Sequence, residues 1–161
     1  MERKLNLGCG LNYREGWINV DNNNSYKTDR TCNLEKFPYP FKSNTFNKVY
    51  CGMILEHLNK PAEVLKEIHR ICKNGAKITI IVPHADSYAN KTDLQHKNNF
   101  TENSFDQELL KEYGLEGNFV VAKVEFIWKH KWKKYLPLWF KKIFNNLFDD
   151  IKFELSVSKL K

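Results

Sequence analysis

The stretch from Leu5 to Asp21, LNLGCGLNYREGWINVD, sets the terms for the rest of the chain. Leu5 and Leu7 bracket Asn6 as a short apolar strand, Gly8-Cys9-Gly10 breaks it, and Trp17 to Val20 form a second strand ending on Asp21. Glycines at such a break let the backbone turn sharply and approach a ligand that a Cβ would strike. A carboxylate at the tip of the second strand can accept from both hydroxyls of a ribose. Spacing narrows the choice of nucleotide. A dinucleotide fingerprint carries a third glycine and an acid roughly 20 residues further on, whereas the third position here is Asn12 and Asp21 lies eleven residues beyond Gly10. The usual helix, whose N-terminus would hold a pyrophosphate, has no room. A ligand with ribose and adenine but no phosphate fits, and S-adenosylmethionine is such a ligand.

At 161 residues the chain reads as one domain, able to bury roughly 70% of its unfolded surface without staples. Cys9, Cys32, Cys51 and Cys72 form no CxxC pair, and neither a leader nor a run of 18 apolar residues stands out. The expectation is reduced thiols in a cytoplasmic protein. The net charge of +7 is local: Lys129 to Lys142 holds six lysines and His130 with no acid. That disfavours a uniformly basic nucleic-acid binder and leaves a local cationic surface to explain.

Strands alternate with helices. Asn22 to Arg30 is polar and expected as loop, Phe46 to Cys51 is strand-like, and Pro61 opens a helix to about Lys73, with Val64, Leu65, Ile68 and Ile71 on one face. Ala76 to Val82 is an apolar, β-branched run, as in a strand covered on both faces, and Pro83 ends it. His84 to Asn99 reads as a polar loop, Thr101 as the N-cap of a helix to Tyr113, and Phe119–Trp128 and Ile151–Val157 as strands. Between those strands, Pro137 to Phe148 places Trp139, Phe140, Ile143, Phe144 and Leu147 on one helical face. The expected fold is α/β: a Rossmann-like, doubly wound, mostly parallel sheet with helices on both sides and an antiparallel edge strand. Gly8, Asp21, Asn33, Gly52 and Pro83 all fall at strand carboxyl ends, where such sheets bind ligands.

LNLGCG, GWINVD and the string CNLEKFPYPFKSNTFNKVYCGMILEHLNKPAEVLKEIHRICKNGAKITIIVP closely resemble the class I S-adenosylmethionine-dependent methyltransferases, specifically small ones with a shortened first helix. The resemblance covers about Lys4 to Pro83, which makes residues 1–83 the cofactor half and 84–161 the substrate half, with an aromatic and basic insert at 128–148. It implies that Gly8, Cys9 and Gly10 line the methionine portion with Asn6 nearby, and that Asp21 holds the ribose. Asn33 and the backbone of Leu34 would meet the adenine, and Gly52 and Met53 would touch the cofactor from the fourth strand. Asn6, Asn33 and Asn47 stand where the family usually carries aspartates. S-adenosylhomocysteine would be the product.

Methyl transfer needs alignment, a dry site and often a base. His57, His84 and His96 are the candidates for that base; His84 or His96 is the one expected, with Glu56-His57 expected to cap or pack beneath the cofactor. Glu56, His57 and His96 also resemble part of a glutamate and histidine magnesium site in some O-methyltransferases, but Met53 stands where those place a further glutamate, so no metal is expected. The insert, with Trp128, Trp132 and Trp139 among lysines, suits a lid, a peripheral membrane contact or an anionic substrate. The expected activity is methylation of oxygen or nitrogen on a small-molecule, glycan or lipid-linked acceptor. The rivals are an inactive cofactor-binding module and an RNA methyltransferase.

Overall fold

The computed structural model describes residues 2–129, 131–137, 139–140 and 147–159. Seven strands form one sheet: β1 (Lys4–Leu7), β2 (Ile18–Asp21), β3 (Arg30–Thr31), β4 (Phe46–Gly52), β5 (Cys72–Pro83), β6 (Phe119–Ile127) and β7 (Asp150–Val157). Their order is β3-β2-β1-β4-β5-β7-β6. Strands β1 to β5 pair in parallel, and β7 runs antiparallel between β5 and β6. This is the doubly wound order, with its reversal between β1 and β4, so a ligand belongs at the carboxyl ends of those two strands.

The register lays out two unlike faces. Leu5, Val49, Ile78 and Leu155 form one row and Leu7, Cys51, Ile80 and Phe153 the next, and all are buried. Onto these rows pack Val64, Leu65, Ile68 and Ile71 of helix α1 (Pro61–Ile71), each contributing about 1.5–3 kcal/mol of apolar burial. Phe105, just before helix α3 (Gln107–Glu112), and Leu110 within it complete the layer, with Phe105 against Phe153 at 4.6 Å between ring centroids. The opposite face reads Asn6, Tyr50, Thr79, Glu154 and Lys48, Lys77, Ser156. Helices were expected on both sides, but among the described residues the apolar layer covers one face only. The other rows are too polar to draw a helix down by burial.

Near β1 the ten-residue connection 8–17 covers that polar face in place of a helix. Asn6 Nδ2 donates to Asn12 O (2.8 Å) and to Asn19 Oδ1 (2.9 Å), and Asn19 Nδ2 donates to Arg14 O and to Asp29 Oδ2. The Arg14 guanidinium lies 3.4 Å from the Tyr50 ring centroid and 5.5 Å from that of Trp17. Hydrogen bonds and a cation on aromatic faces thus do what an apolar helix face would otherwise do.

Several boundaries differ from the pattern. Helix α1 ends at Ile71 rather than Lys73 because Cys72 pairs with Phe46 and enters the sheet. Arg30, at the end of the expected loop, joins Thr31 in the edge strand β3 (Arg30–Thr31), and Tyr88–Thr92, expected as loop, forms helix α2 with Ser87 Oγ accepting from Asn90 N–H. The helix after Thr101 begins only at Gln107, since Thr101 N–H donates to Ser104 Oγ in a turn that delivers Phe105 to the core. Lys131–Tyr135 is a 3-10 turn, and the helix expected over 137–148 falls largely outside the described residues.

Candidate active site

Four strand ends form one rim. Thr31 pairs with Asp21, Val20 with Leu7 and Leu7 with Cys51, so Asn33, Asp21, Gly8 and Gly52 follow one another over three strand spacings, about 14 Å. Gly8 has φ +63°, and a Cβ there would lie 2.5 Å from Ile54 Cγ1. The bare glycine lets the loop after β1 nest on the loop after β4. Gly10, at φ +47°, has open space where its Cβ would be. Its N–H donates to Asp21 Oδ2 at 2.9 Å while Asn23 N–H donates to Oδ1 at 2.9 Å. Each carboxylate oxygen keeps a free lone pair, and Asp21 is half-exposed.

The other rim residues divide by where their side chains go. Asn33 is exposed, with Oδ1 accepting from Glu35 N–H and its amide hydrogens available. Leu34 is buried, its carbonyl accepting from Tyr39 Oη–H. Asn6 and Cys9 are buried and turned into the protein, the Cys9 thiol donating to Lys27 O, so they shape the loop and can meet a ligand only through backbone. A Cβ on Gly52 would lie 2.6 Å from the Tyr50 ring, so this glycine makes room for the ring that carries Arg14. Met53 is exposed at φ +52°, a conformation costly for a side-chain-bearing residue, and its N–H donates to Ile81 O.

Met53 is also the near wall of a cleft of about 980 Å³ at the ends of β4 and β5, whose lining includes Glu56, His57, Tyr88, His96 and Asp150. The Glu56 carboxylate is fully buried, and neither oxygen has a hydrogen-bond partner. Burial, seconded by Asp150 and Asp93, pushes its pKa up to about 7. The His57 and His96 rings meet edge to face at 4.8 Å. His57 Nδ1 lies 3.3 Å from Gln95 O, His96 Nε2 lies 3.5 Å from Asp93 Oδ2, and His96 Nδ1 is buried without a partner. Lys97 N–H donates to Glu56 O, and Asn98 Nδ2 donates to Leu55 O and Leu58 O, clasping the 93–98 segment onto the turn that carries Glu56 and His57. Among the described residues, Glu56, His57 and His96 are the group able to hold a metal, one ligand atom from each lying within 4.8 Å of the others. Two imidazoles and one carboxylate suit a borderline cation such as zinc better than magnesium.

His84 is placed differently. It is buried against Phe148 and Phe126, Asp86 N–H donates to its Nδ1 at 3.1 Å, and Nε2 faces Glu102 at 3.6 Å. With the Nδ1 lone pair occupied and burial lowering its pKa, His84 has no free lone pair for an acceptor.

A methyltransferase-domain family model matches residues 5–80, the part of the chain that builds this rim. Over those residues the chain is similar to S-adenosylmethionine-dependent methyltransferases of class I. The chain is 48% identical over 48 residues, 30% of its own length, to an uncharacterized protein of Methanocaldococcus jannaschii, and the match spans 21% of that relative. Its fold is like that of the methyltransferase in complex with the Haloferax volcanii Trm112 activator, with a TM-score of 0.70 at 14% identity over 100% of this chain and 85% of that one. An S-adenosylmethionine-dependent methyltransferase of Archaeoglobus fulgidus superposes with a TM-score of 0.70 at 19% identity, over 96% and 86% of the two chains. Phosphoethanolamine N-methyltransferase 2 of Haemonchus contortus, in complex with S-adenosylmethionine, gives 0.65 at 16% identity over 98% of this chain and 49% of that one.

S-adenosylmethionine, the cofactor of this family, fits what the rim offers: a half-exposed carboxylate with spare lone pairs for two ribose hydroxyls, an amide at Asn33 for the adenine, and an open Gly10. The cofactor supplies an electrophilic methyl on sulfur. On this chain the rim would hold it, beside the cleft that begins at Met53. Sequence reasoning missed Asn19, Asp29 and Arg14, which fix the rim loop, and Asn98 and Asp150, which frame the cleft. The only sequence sign was an asparagine at an inward position of each of the first two strands.

Proposed function

We propose that the methyltransferase moves a methyl group from S-adenosylmethionine to an oxygen or nitrogen of an acceptor bound in the cleft, with His57 as the base. The observation that carries this reading is that one residue, Met53, belongs to both the cofactor rim and the cleft, so donor and acceptor sites share a wall. If His57 Nδ1–H donates to Gln95 O, its Nε2 keeps a lone pair to accept the proton that the acceptor hydroxyl or amine loses as it attacks. His96 packs against His57 with its side chain largely covered, which makes it a support for the base. Acids in the cleft suit a neutral or cationic acceptor group: a small metabolite, a glycan or the head of a lipid.

The four cysteines are free and buried, in keeping with a reducing cytoplasm, and among the described residues no helix is long and apolar enough to cross a membrane. The test is transfer of labelled methyl from S-adenosylmethionine into fractionated cell extract. Label is expected in a metabolite, glycan or lipid fraction and is expected to vanish with His57→Ala. Cofactor binding without label in any fraction would make the chain an inactive binding module, and label confined to RNA would overturn the acceptor class.

A further inference from the structure

The described residues place their large exposed apolar side chains unevenly. Tyr88 (67% exposed) and Leu94 (100%) stand at the mouth of the acceptor cleft, together with Met53. Trp132 (59%) lines an adjoining hollow that shares Tyr88, Ala89 and Lys129 with the cleft. Tyr135 (83%) and Trp139 (64%) follow in the same segment. Exposing Met53, Tyr88, Leu94 and Trp132 around one opening is costly in water, and such patches mark contacts with a membrane or a partner. From 129 to 150 the chain carries six lysines against two aspartates. Asp149 pairs with Lys133 at 3.0 Å and Asp150 with Lys129 at 3.6 Å, so by sequence the segment carries a net positive charge beyond these two pairs.

Building on the methyl-transfer reading, we propose that the mouth of the cleft seats on an anionic bilayer surface, and that the acceptor is the hydroxyl- or amine-bearing head of an amphiphile held in that bilayer. Tryptophan and tyrosine favour the headgroup region, where an apolar body and a polar edge are both satisfied, and lysines beside them add attraction to anionic lipid. The cleft behind the mouth carries Glu56, Asp93 and Asp150, which favour a neutral or cationic head group. The same acids repel a phosphodiester chain threading into the cleft, so a bilayer accounts for the surface better than RNA does. Seated this way, the opening meets the bilayer directly and the acceptor reaches the methyl donor without leaving the surface.

The test is cosedimentation of the full chain with phosphatidylcholine vesicles, with and without phosphatidylglycerol, while tryptophan emission is followed. Binding to the anionic vesicles with a blue shift, weakening as salt rises, is expected. The double variant Trp132→Ser, Trp139→Ser should bind about tenfold more weakly or worse, because two large aromatic side chains no longer leave water, while Val120→Ser, exposed on β6, should bind as the parent does. Failure to bind vesicles, equal binding by the double variant, or tighter binding to a single-stranded RNA oligonucleotide would overturn the inference. Calorimetry with S-adenosylmethionine in the absence of vesicles separates the two readings. Cofactor binding without vesicle binding removes the membrane surface alone, and vesicle binding without cofactor binding removes methyl transfer alone.

Discussion

The rim that faces the cofactor and the cleft that faces the acceptor lie side by side, yet they use their polar atoms in opposite ways. On the rim, Asn6, Asn19, Asp21 and Asp29 all hydrogen-bond within the protein, and the loop they hold is fixed before any ligand arrives. In the cleft, both oxygens of Glu56 and Nδ1 of His96 are buried with nothing to bond. Each such atom costs about 1–3 kcal/mol. A site for an unvarying ligand can be finished in advance, whereas unspent polar atoms belong where a proton, a cation or an acceptor group will complete them.

If that contrast is right, the largest effect falls in the cleft and on rate. Replacing His57 by Ala should lower kcat about a thousandfold, the usual scale for a removed general base, while the Kd for S-adenosylmethionine stays as it is. An equal loss of cofactor affinity would erase the division between the two regions.

Next comes Glu56, measured with chelator present. Its folded pKa of about 7 lies above the ordinary value of 4.5, so its favourable contribution is complete below about pH 4.5 and is lost as pH rises through 7. Denaturant melts should show the parent losing about 3 kcal/mol across that window relative to Glu56→Gln. Parallel pH profiles would mean that the carboxylate is solvated and the cleft is not unfinished at all.

On the rim, Asn19→Ala should cost about 3 kcal/mol of stability, since it strips partners from the buried Asn6 amide and the Arg14 N–H together. A melt within 0.5 kcal/mol of the parent, the ordinary scatter of a surface change, would show the loop to be held by something else. The smallest effect is Gly10→Ala. No protein atom stands near its Cβ, so only the left-handed backbone resists, and the melt should fall by roughly 1 kcal/mol.

The parts of this architecture that a reader of the sequence can find are those governed by neighbours in the chain. Leu5 and Leu7, the glycine break, the Pro61 helix start and the β-branched run before Pro83 each declare themselves within a few residues, and they fix the sheet and its reversal point. The bare polar face does not, because Lys48, Lys77 and Glu154 line up only once distant strands pair. For the same reason Asn6 and Asn19 look like ordinary loop-forming residues until the strands bring them to 2.9 Å. His57 and His96, far apart in sequence, come together through the Asn98 clasp, while the equally plausible His84 is drawn into an aromatic pocket by Phe126 and Phe148. Composition alone could not distinguish those two fates.

The account rests on the Asp21 carboxylate gripping the sugar of the methyl donor, and titration calorimetry of S-adenosylmethionine into the parent and Asp21→Ala addresses it most directly. Losing two hydrogen bonds to a charged acceptor should weaken binding about a hundredfold, while the melt falls by about 1–3 kcal/mol as Gly10 and Asn23 N–H lose their partner. Equal affinity in the two proteins would place the nucleoside elsewhere and contradict the assignment of the rim.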